Sequence, residues 1–272
     1  MRVAAIQMNS GADVSANLEL ADRLLAEAAA DGVGLAVLPE NFALMPVKGR
    51  DKTAQAEKPG SGPIQDFLKT ASARHKLWIV AGSMPLVSPD TERVFGACPV
   101  HDATGEVQAW YRKIHLFDVT LPDADESYQE SWSMYPGDDL VCVDSPIGRI
   151  GLAICYDMRF PEMFRRLVDD GATVFTLPAA FTKLTGEAHW HTLLRARAIE
   201  NLAYVIAPGQ YGEHPDNRTT YGHSMIVDPW GRILAEQASG NAVVAADIDP
   251  ELPARLRTEF PALANRRFTS HP

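Results

Sequence analysis

The first forty residues decide the fold, because they hold two apolar segments on either side of an amphipathic one. Residues 3–8 read VAAIQM, residues 15–32 read SANLELADRLLAEAAADG, and residues 33–40 read VGLAVLPE. The outer segments have the composition of buried strands. In the middle segment, leucine and alanine recur at helical spacing, Ser15 is the predicted N-cap, and Asp31-Gly32 ends the pattern. The stretch predicts a β–α–β unit with parallel strands.

The same alternation continues along the chain. Predicted helices cover residues 63–75, 161–170, 187–201 and 250–258, and predicted strands cover residues 77–81, 93–101, 107–112, 141–143, 149–154, 173–177, 203–207, 224–227, 233–236 and 243–248. Hairpins are expected around residues 102–105 and 145–148. We find no linker, repeat or low-complexity segment, so residues 1–272 are predicted to form a single α/β domain. Two sheet layers with helices on both outer sides accommodate this many strands.

Composition excludes several classes of function. The 272 residues include 25 Lys and Arg against 35 Asp and Glu, a formal net charge of −10, which argues against nucleic-acid or anionic-membrane partners. No apolar run approaches the roughly 20 residues of a membrane span. The N-terminus lacks a signal-peptide pattern, and three cysteines form no disulfide framework. We therefore expect a soluble, cytoplasmic protein.

Three reactive side chains follow apolar predicted strands, at the strand ends where α/β proteins gather functional residues. Burial is expected to raise the pKa of Glu40 and suit it as a base. Lys113 is a candidate donor to an oxyanion. Cys155 lies between a strand and a helix start, where the helix N-terminus is expected to favour the thiolate. Each residue alone also fits an ordinary role as a solvated charge or an inert thiol, and the inert role is expected of Cys98 and Cys142.

Taken together, these residues resemble motifs of the nitrilase, or carbon–nitrogen hydrolase, superfamily. LPE at 38–40, YRKIHLF at 111–117 and GLAICYDMRFPE at 151–162 resemble its glutamate, lysine and nucleophile motifs, in the family's order. Residues 129–138 resemble the segment that carries the family's second glutamate, here Glu130. Residues 221–224 and 227–231 also resemble late family motifs. One departure is Gly96, where relatives often have Asn, and this position is expected to lie away from the chemistry.

The resemblance implies an αββα four-layer sandwich, a homodimer or larger homo-oligomer, and a mechanism. Glu40 would accept the proton of Cys155, whose sulfur would attack an amide carbonyl. Lys113 and the backbone N–H of Tyr156 would hold the oxyanion. Glu130 would hydrogen-bond Lys113 and help to place the substrate. The resulting thioester would be hydrolysed by water that Glu40 activates, and neither a cofactor nor a metal is expected.

The expected substrate is a small linear carboxamide, not a nitrile. The lysine and nucleophile motifs resemble those of both the omega-amidases and the deaminated-glutathione amidases. Segments that resemble the second group are residues 178–182, 185–190, 195–200 and 217–224. Arg159 and Thr182 are candidate substrate-binding residues, because they follow the nucleophile and the next strand end. Arg218, in the polar loop 209–220, is a candidate for binding a leaving-group carboxylate.

Other classes of function remain open at this stage. A metal hydrolase is disfavoured, since His189 and His191 are two positions apart on a predicted helix and no His-Glu-x-x-His pattern exists. A Cys–His thiol enzyme would pair Cys155 with His115, His189 or His223. An omega-amidase acting on 2-oxoglutaramate or 2-oxosuccinamate, and a non-catalytic binding scaffold of nitrilase fold, are further alternatives.

Overall fold

The computed structural model describes residues 1–47, 49–121, 127–215 and 217–268. The strands are Arg2–Gln7 (β1), Leu35–Val37 (β2), Trp78–Val80 (β3), Met84–Val87 (β4), Val94–His101 (β5), Val107–Arg112 (β6), Asp118–Thr120 (β7), Ser127–Gln129 (β8), Cys142–Ser145 (β9), Gly148–Leu152 (β10), Val174–Thr176 (β11), Tyr204–Ala207 (β12), Tyr211–Glu213 (β13), Thr219–Tyr221 (β14), Ser224–Val227 (β15), Ile233–Gln237 (β16) and Ala242–Asp247 (β17). The α-helices are Val14–Ala30 (α1), Gly49–Ala54 (α2), Pro63–His75 (α3), Pro161–Asp169 (α4), Lys183–Thr185 (α5), His191–Asn201 (α6) and Leu252–Glu259 (α7).

Two large mixed sheets form the centre of the molecule. The first has the order β17-β1-β2-β3-β5-β4, with β6 paired to β5, and the second has the order β16-β15-β12-β11-β10-β9. Strands β1, β2 and β3 are parallel, as are β10, β11 and β12. The predicted β–α–β unit and both predicted hairpins are confirmed.

Strand β1 is apolar along its length because both of its faces are covered. Val3 and Ala5 belong to the core that the first sheet shares with the second. Ala4 and Ile6 point the other way, into an apolar cluster that includes Leu25 of α1. Helices α1 and α3 therefore cover the outer face of the first sheet.

Helices α4 and α6 cover the outer face of the second sheet. The ring of Phe164 on α4 packs edge to face with that of Phe175 on β11, with centroids 5.0 Å apart. Leu194 and Ala198 of α6 are fully buried, and α6 lies against β12. The layers follow the order α–β–β–α, which confirms the predicted four-layer sandwich. Every helix in the described ranges is too short or too polar to traverse a bilayer.

Two helix starts differ from the prediction. Helix α1 begins at Val14, two residues earlier than an N-cap at Ser15 implied, because the Asp13 carboxylate accepts a 3.2 Å hydrogen bond from the Ala16 N–H and caps the helix. The helix predicted at 187–201 instead begins at Lys183 as α5, passes through a π-helical turn at Gly186–Trp190, and continues as α6.

Six short elements among the described residues were not predicted from hydrophobic periodicity. These are α2, β4, β7, β8, β13 and β14. Strands β13 and β14 pair with each other inside the segment 209–220 that was predicted as a loop, of which residue 216 lies outside the described residues. Segments of three to six residues are too short to show a hydrophobic period, so local sequence carries little signal for them.

Candidate active site

A cavity of about 240 Å³ opens where strands of the two sheets end. Glu40 lies three residues beyond β2 of the first sheet, Lys113 directly follows β6, and Cys155 lies three residues beyond β10 of the second sheet. All three side chains line the cavity, as does that of Glu130. The fold therefore brings together the four residues that the sequence analysis selected as a catalytic group.

Lys113 lies between the two carboxylates. Its Nζ donates hydrogen bonds to Glu40 Oε1 at 2.8 Å and to both carboxylate oxygens of Glu130 at 2.9 Å. Glu40 Oε2 accepts a further bond from the Ala180 N–H at 2.8 Å, and Glu130 Oε2 accepts one from the Phe117 N–H at 2.6 Å. Because the Lys113 side chain is only 3% exposed, this ion-pair network is shielded from water.

The network determines the protonation states of Glu40 and Lys113. Burial disfavours the charge on both groups. At Glu40 the attraction and hydrogen bond of Lys113 outweigh this penalty, and at Lys113 the charges of Glu130 and Glu40 outweigh it. The pKa of Glu40 is therefore lowered, and the pKa of Lys113 is raised well above its ordinary value. The expectation of a raised Glu40 pKa was wrong, because it considered burial without the lysine. An ionised Glu40 is still able to accept a proton.

Cys155 sits in a strained turn. It begins the 3₁₀ turn Cys155–Arg159 with a left-handed φ of 48°, and its N–H donates to the Pro178 carbonyl at 2.9 Å. Burial and the neighbouring charge of Glu40 raise the pKa of its thiol well above the ordinary value. The expected thiolate is therefore wrong for the resting protein. The thiol is neutral and lines the same cavity as Glu40, which can take its proton when the sulfur reacts.

The turn that presents Cys155 rests on Asp157, a residue that the sequence analysis quoted within a motif but did not select. The buried carboxylate accepts hydrogen bonds from the Ile154 N–H at 2.8 Å and from Tyr111 Oη at 2.7 Å. It also contacts His115 Nδ1 at 2.7 Å. Tyr111 and His115 belong to the lysine motif, so Asp157 joins the two motifs.

The tentative substrate-binding residues take different positions. Tyr156, Thr182 and Arg218 line the cavity, and Arg218 lies over the ring of Tyr128 at 5.5 Å. Arg159 is not among the lining residues. Its guanidinium lies over the rings of Tyr156 at 5.8 Å and Phe181 at 5.2 Å, and both of these residues line the cavity.

Two further residues lie next to the site. Lys52 of α2 is buried and lines the cavity, although its short polar helix carried no signal in the sequence. Gly96 lies in β5, as expected, and its carbonyl accepts the backbone N–H of Lys113 at 2.9 Å. A Cβ on Gly96 would lie 2.8 Å from Cε of Met134, so a side chain at this position would displace Met134.

The histidines make contacts away from the thiol. Ring nitrogens of His191 and His223 lie 2.8 Å and 2.5 Å from Glu236 Oε1, forming a cluster of potential metal ligands that the sequence did not predict. His115 contacts Asp157, and His189 Nδ1 lies 3.3 Å from Arg159. These contacts disfavour a Cys–His pair.

An αββα sandwich with cysteine, glutamate and lysine at one end of its sheets has the architecture of the nitrilase superfamily. Residues 2–258 match the model of the family described as carbon–nitrogen hydrolase, and the chain belongs to that family. It is an amidase that acts on carbon–nitrogen bonds.

Known relatives agree with this assignment. A protein of Yersinia enterocolitica named deaminated glutathione amidase is 38% identical over 98% of this chain and 93% of its own. One of the same name from Synechocystis is 40% identical over 97% of each chain. The crystal structure of the C. elegans NitFhit protein superimposes with a TM-score of 0.91 at 34% identity, over 99% of this chain and 66% of that longer one.

Proposed function

We propose that the protein hydrolyses a linear carboxamide through a thioester on Cys155, with Glu40 as the base and Lys113 as the electrostatic stabiliser. One observation carries the proposal. The neutral thiol of Cys155 and the ionised carboxylate of Glu40 line the same cavity, and Lys113 Nζ donates to Glu40 Oε1 at 2.8 Å. This supplies a nucleophile, an unprotonated base and a fixed cation in one water-shielded cavity, as attack on an amide requires.

The reaction uses each group in turn. Glu40 accepts the thiol proton as the sulfur attacks the carbonyl carbon, and the Lys113 ammonium and the Tyr156 N–H hold the oxyanion. The tetrahedral intermediate then collapses, and Glu40 passes its proton to the departing amine. Glu40 next takes a proton from water as the water oxygen attacks the thioester carbonyl. The C–S bond then breaks, the acid product leaves, and Glu40 returns the proton to the Cys155 sulfur. Glu130 keeps Lys113 in place through its two 2.9 Å hydrogen bonds.

The proposed substrate is deaminated glutathione, which the names of the Yersinia and Synechocystis relatives support. Its hydrolysis releases a dipeptide, so the leaving-group side of the cavity must be open and should carry a cation for the dipeptide carboxylate. Arg218 is the proposed cation, since it lines the cavity and is only half-buried. Thr182, which is buried and lines the same cavity, is a proposed substrate contact.

A comparison of two substrates tests this proposal. We expect a higher kcat/KM for deaminated glutathione than for 2-oxoglutaramate, and no turnover by the Cys155→Ala protein. A clear preference for 2-oxoglutaramate would assign the protein to the omega-amidases. Activity on neither compound, with turnover of an N-carbamoyl compound or a nitrile, would refute the amide substrate. If the protein is a non-catalytic binding scaffold, it will turn over none of these compounds.

We also propose that residues 1–272 act as one hydrolase domain in the cytoplasm, as a homodimer or larger assembly.

An apolar patch supports self-association. It comprises Ile199, Trp230 and Phe260, which are about half exposed, and the last two rings are 5.5 Å apart. Light scattering at micromolar concentration should report at least a dimer. A species of only 29.7 kDa would refute assembly.

A further inference from the structure

The cavity contains a second buried lysine that the proposed mechanism does not use. Lys52 is 8% exposed, and its Nζ lies 3.7 Å from Sδ of Met134. Among the described residues, no carboxylate oxygen lies within 4.0 Å of this Nζ. A buried ammonium without an anion at bonding distance is costly, so an anionic ligand that reaches Lys52 is stabilised by pairing with it.

The nearby carboxylates are already engaged. Glu130 accepts from Lys113 through both oxygens and from the Phe117 N–H, and Glu40 accepts from Lys113 and the Ala180 N–H. Burial lowers the pKa of Lys52, and the charges of Glu130 and Glu40 only partly oppose this effect. The Lys52 ammonium therefore interacts electrostatically with the carboxylates of Glu40 and Glu130, but it forms an ion pair with neither.

The charges around the cavity favour an anionic ligand. Its charged lining residues are three cations and two carboxylates, namely Lys52, Lys113, Arg218, Glu40 and Glu130. Lys113 bonds to both carboxylates, whereas Lys52 bonds to neither of them within 4.0 Å. In a low-dielectric cavity, the charge of Lys52 therefore attracts the negatively charged part of a substrate.

Burial indicates which part of the substrate meets Lys52. Arg218 is half-buried, and it therefore suits a bulky leaving group that extends towards solvent. Lys52 is more deeply buried and suits the shorter acyl portion. We propose that Lys52 binds a carboxylate at the far end of the acyl chain, and so selects monoamides of dicarboxylic acids. This inference rests on the proposed amide hydrolysis.

The test compares glutaramic acid with glutaramide, which share the ammonia leaving group and differ in the charge at the far end. The ratio of their kcat/KM values is measured for wild type, Lys52→Met, Lys52→Arg and Lys69→Met. Lys69 is an exposed lysine on α3, so its variant is the matched control. We expect Lys52→Met to lower the preference for glutaramic acid by about 10- to 100-fold, mainly through KM, as loss of a charge-assisted hydrogen bond predicts. Lys52→Arg should retain part of the preference, and Lys69→Met all of it.

Two outcomes would overturn the inference. An equal fall for both amides would make Lys52 an electrostatic support for Glu130. The second uses deaminated glutathione in which the dipeptide carboxylate has been converted to an amide. If Lys52→Met lowers the preference for the free carboxylate over this amide, Lys52 binds on the leaving-group side.

A binding measurement separates this inference from the proposed reaction. In the Cys155→Ala protein, calorimetry should detect glutaramic acid, and the added Lys52→Met change should weaken its binding by about the same 10- to 100-fold. Unchanged binding would refute the role of Lys52 even if hydrolysis is established. Weakened binding would support it even if wild type releases no ammonia. Lys52→Gln serves if Lys52→Met does not fold.

Discussion

Tyr111 Oη donates a 2.7 Å hydrogen bond to Asp157 Oδ2, and both side chains are fully buried. Tyr111 lies two residues before Lys113, and Asp157 lies two residues after Cys155. The bond therefore joins the strand that carries the cation to the turn that carries the thiol, across the interface between the two sheets. The distance between the Lys113 cation and the Cys155 thiol therefore depends on how the two sheets pack.

Loss of this bond should reduce activity as well as stability. Tyr111→Phe removes one hydrogen-bond donor from the buried Asp157 carboxylate, so we expect the free energy of unfolding to fall by about 1–3 kcal/mol. The kcat/KM should fall because the Cys155 turn is less firmly held. Urea unfolding and steady-state kinetics measure the two effects. If the losses of stability and activity caused by Tyr111→Phe and Asp157→Asn simply add in the double variant, the two side chains do not act together.

Removal of the central cation should be severe. Lys113→Met leaves Glu40 and Glu130 buried without their counter-charge, so we expect a loss of about 3–5 kcal/mol in stability. Activity should fall at least about 100-fold, since an oxyanion donor is also lost. The triple variant Glu40→Gln, Lys113→Met, Glu130→Gln should recover stability without recovering activity. If Lys113→Met alone were as stable as wild type, the two glutamates would not depend on Lys113 as their buried counter-charge.

The acyl adduct should form on Cys155 and on neither of the other cysteines. Burial raises the pKa of Cys98 to about 12 and that of Cys142 to about 11. The pKa of Cys155 is raised as well, so thiolate content does not distinguish it. Its advantages are the cavity and the adjacent base. Mass spectrometry of rapidly quenched protein should locate the adduct, and an adduct on Cys98 or Cys142 would show that the nucleophile is misassigned.

The pH profile should reflect the lowered pKa of Glu40. The base must be ionised, so kcat/KM should be flat through neutral pH and fall only below the ordinary glutamate pKa of 4.5. In Lys113→Met, the burial penalty on the Glu40 charge loses its largest opposing interaction, so this acid limb should move to higher pH. An acid limb near the ordinary histidine pKa of about 6.5, abolished by a histidine substitution, would favour the Cys–His alternative.

Chelation should leave the activity intact. The cluster of His191, His223 and Glu236 is separate from the residues that line the cavity, and its side chains hydrogen-bond one another directly. Activity assays after exhaustive dialysis against a chelator test this expectation. Loss of activity that only added zinc restores would show that a metal is required.

Much of the fold was predictable because its signals are local. Helix α3 begins and ends where the pattern of residues 63–75 predicted, and the bounds of the predicted strands differ from the observed bounds by at most two residues. Hydrophobic period and chain punctuation act over a few residues, so they appear in sequence. The short polar elements α2 and β13 were missed because three to six residues show no period.

The sequence by itself determined the α/β class and placed Glu40, Lys113 and Cys155 at strand ends, because an apolar run and its terminating polar residue are adjacent in the chain. Only the tertiary structure decided how these groups are charged. The pKa of Glu40 depends on a lysine 73 residues away, whose attraction outweighs the burial penalty. Likewise, Lys52 enters the cavity and Asp157 supports the thiol turn through contacts between distant segments. Burial and charge pairing are sums over spatial neighbours, and those neighbours exist only once the two sheets have packed.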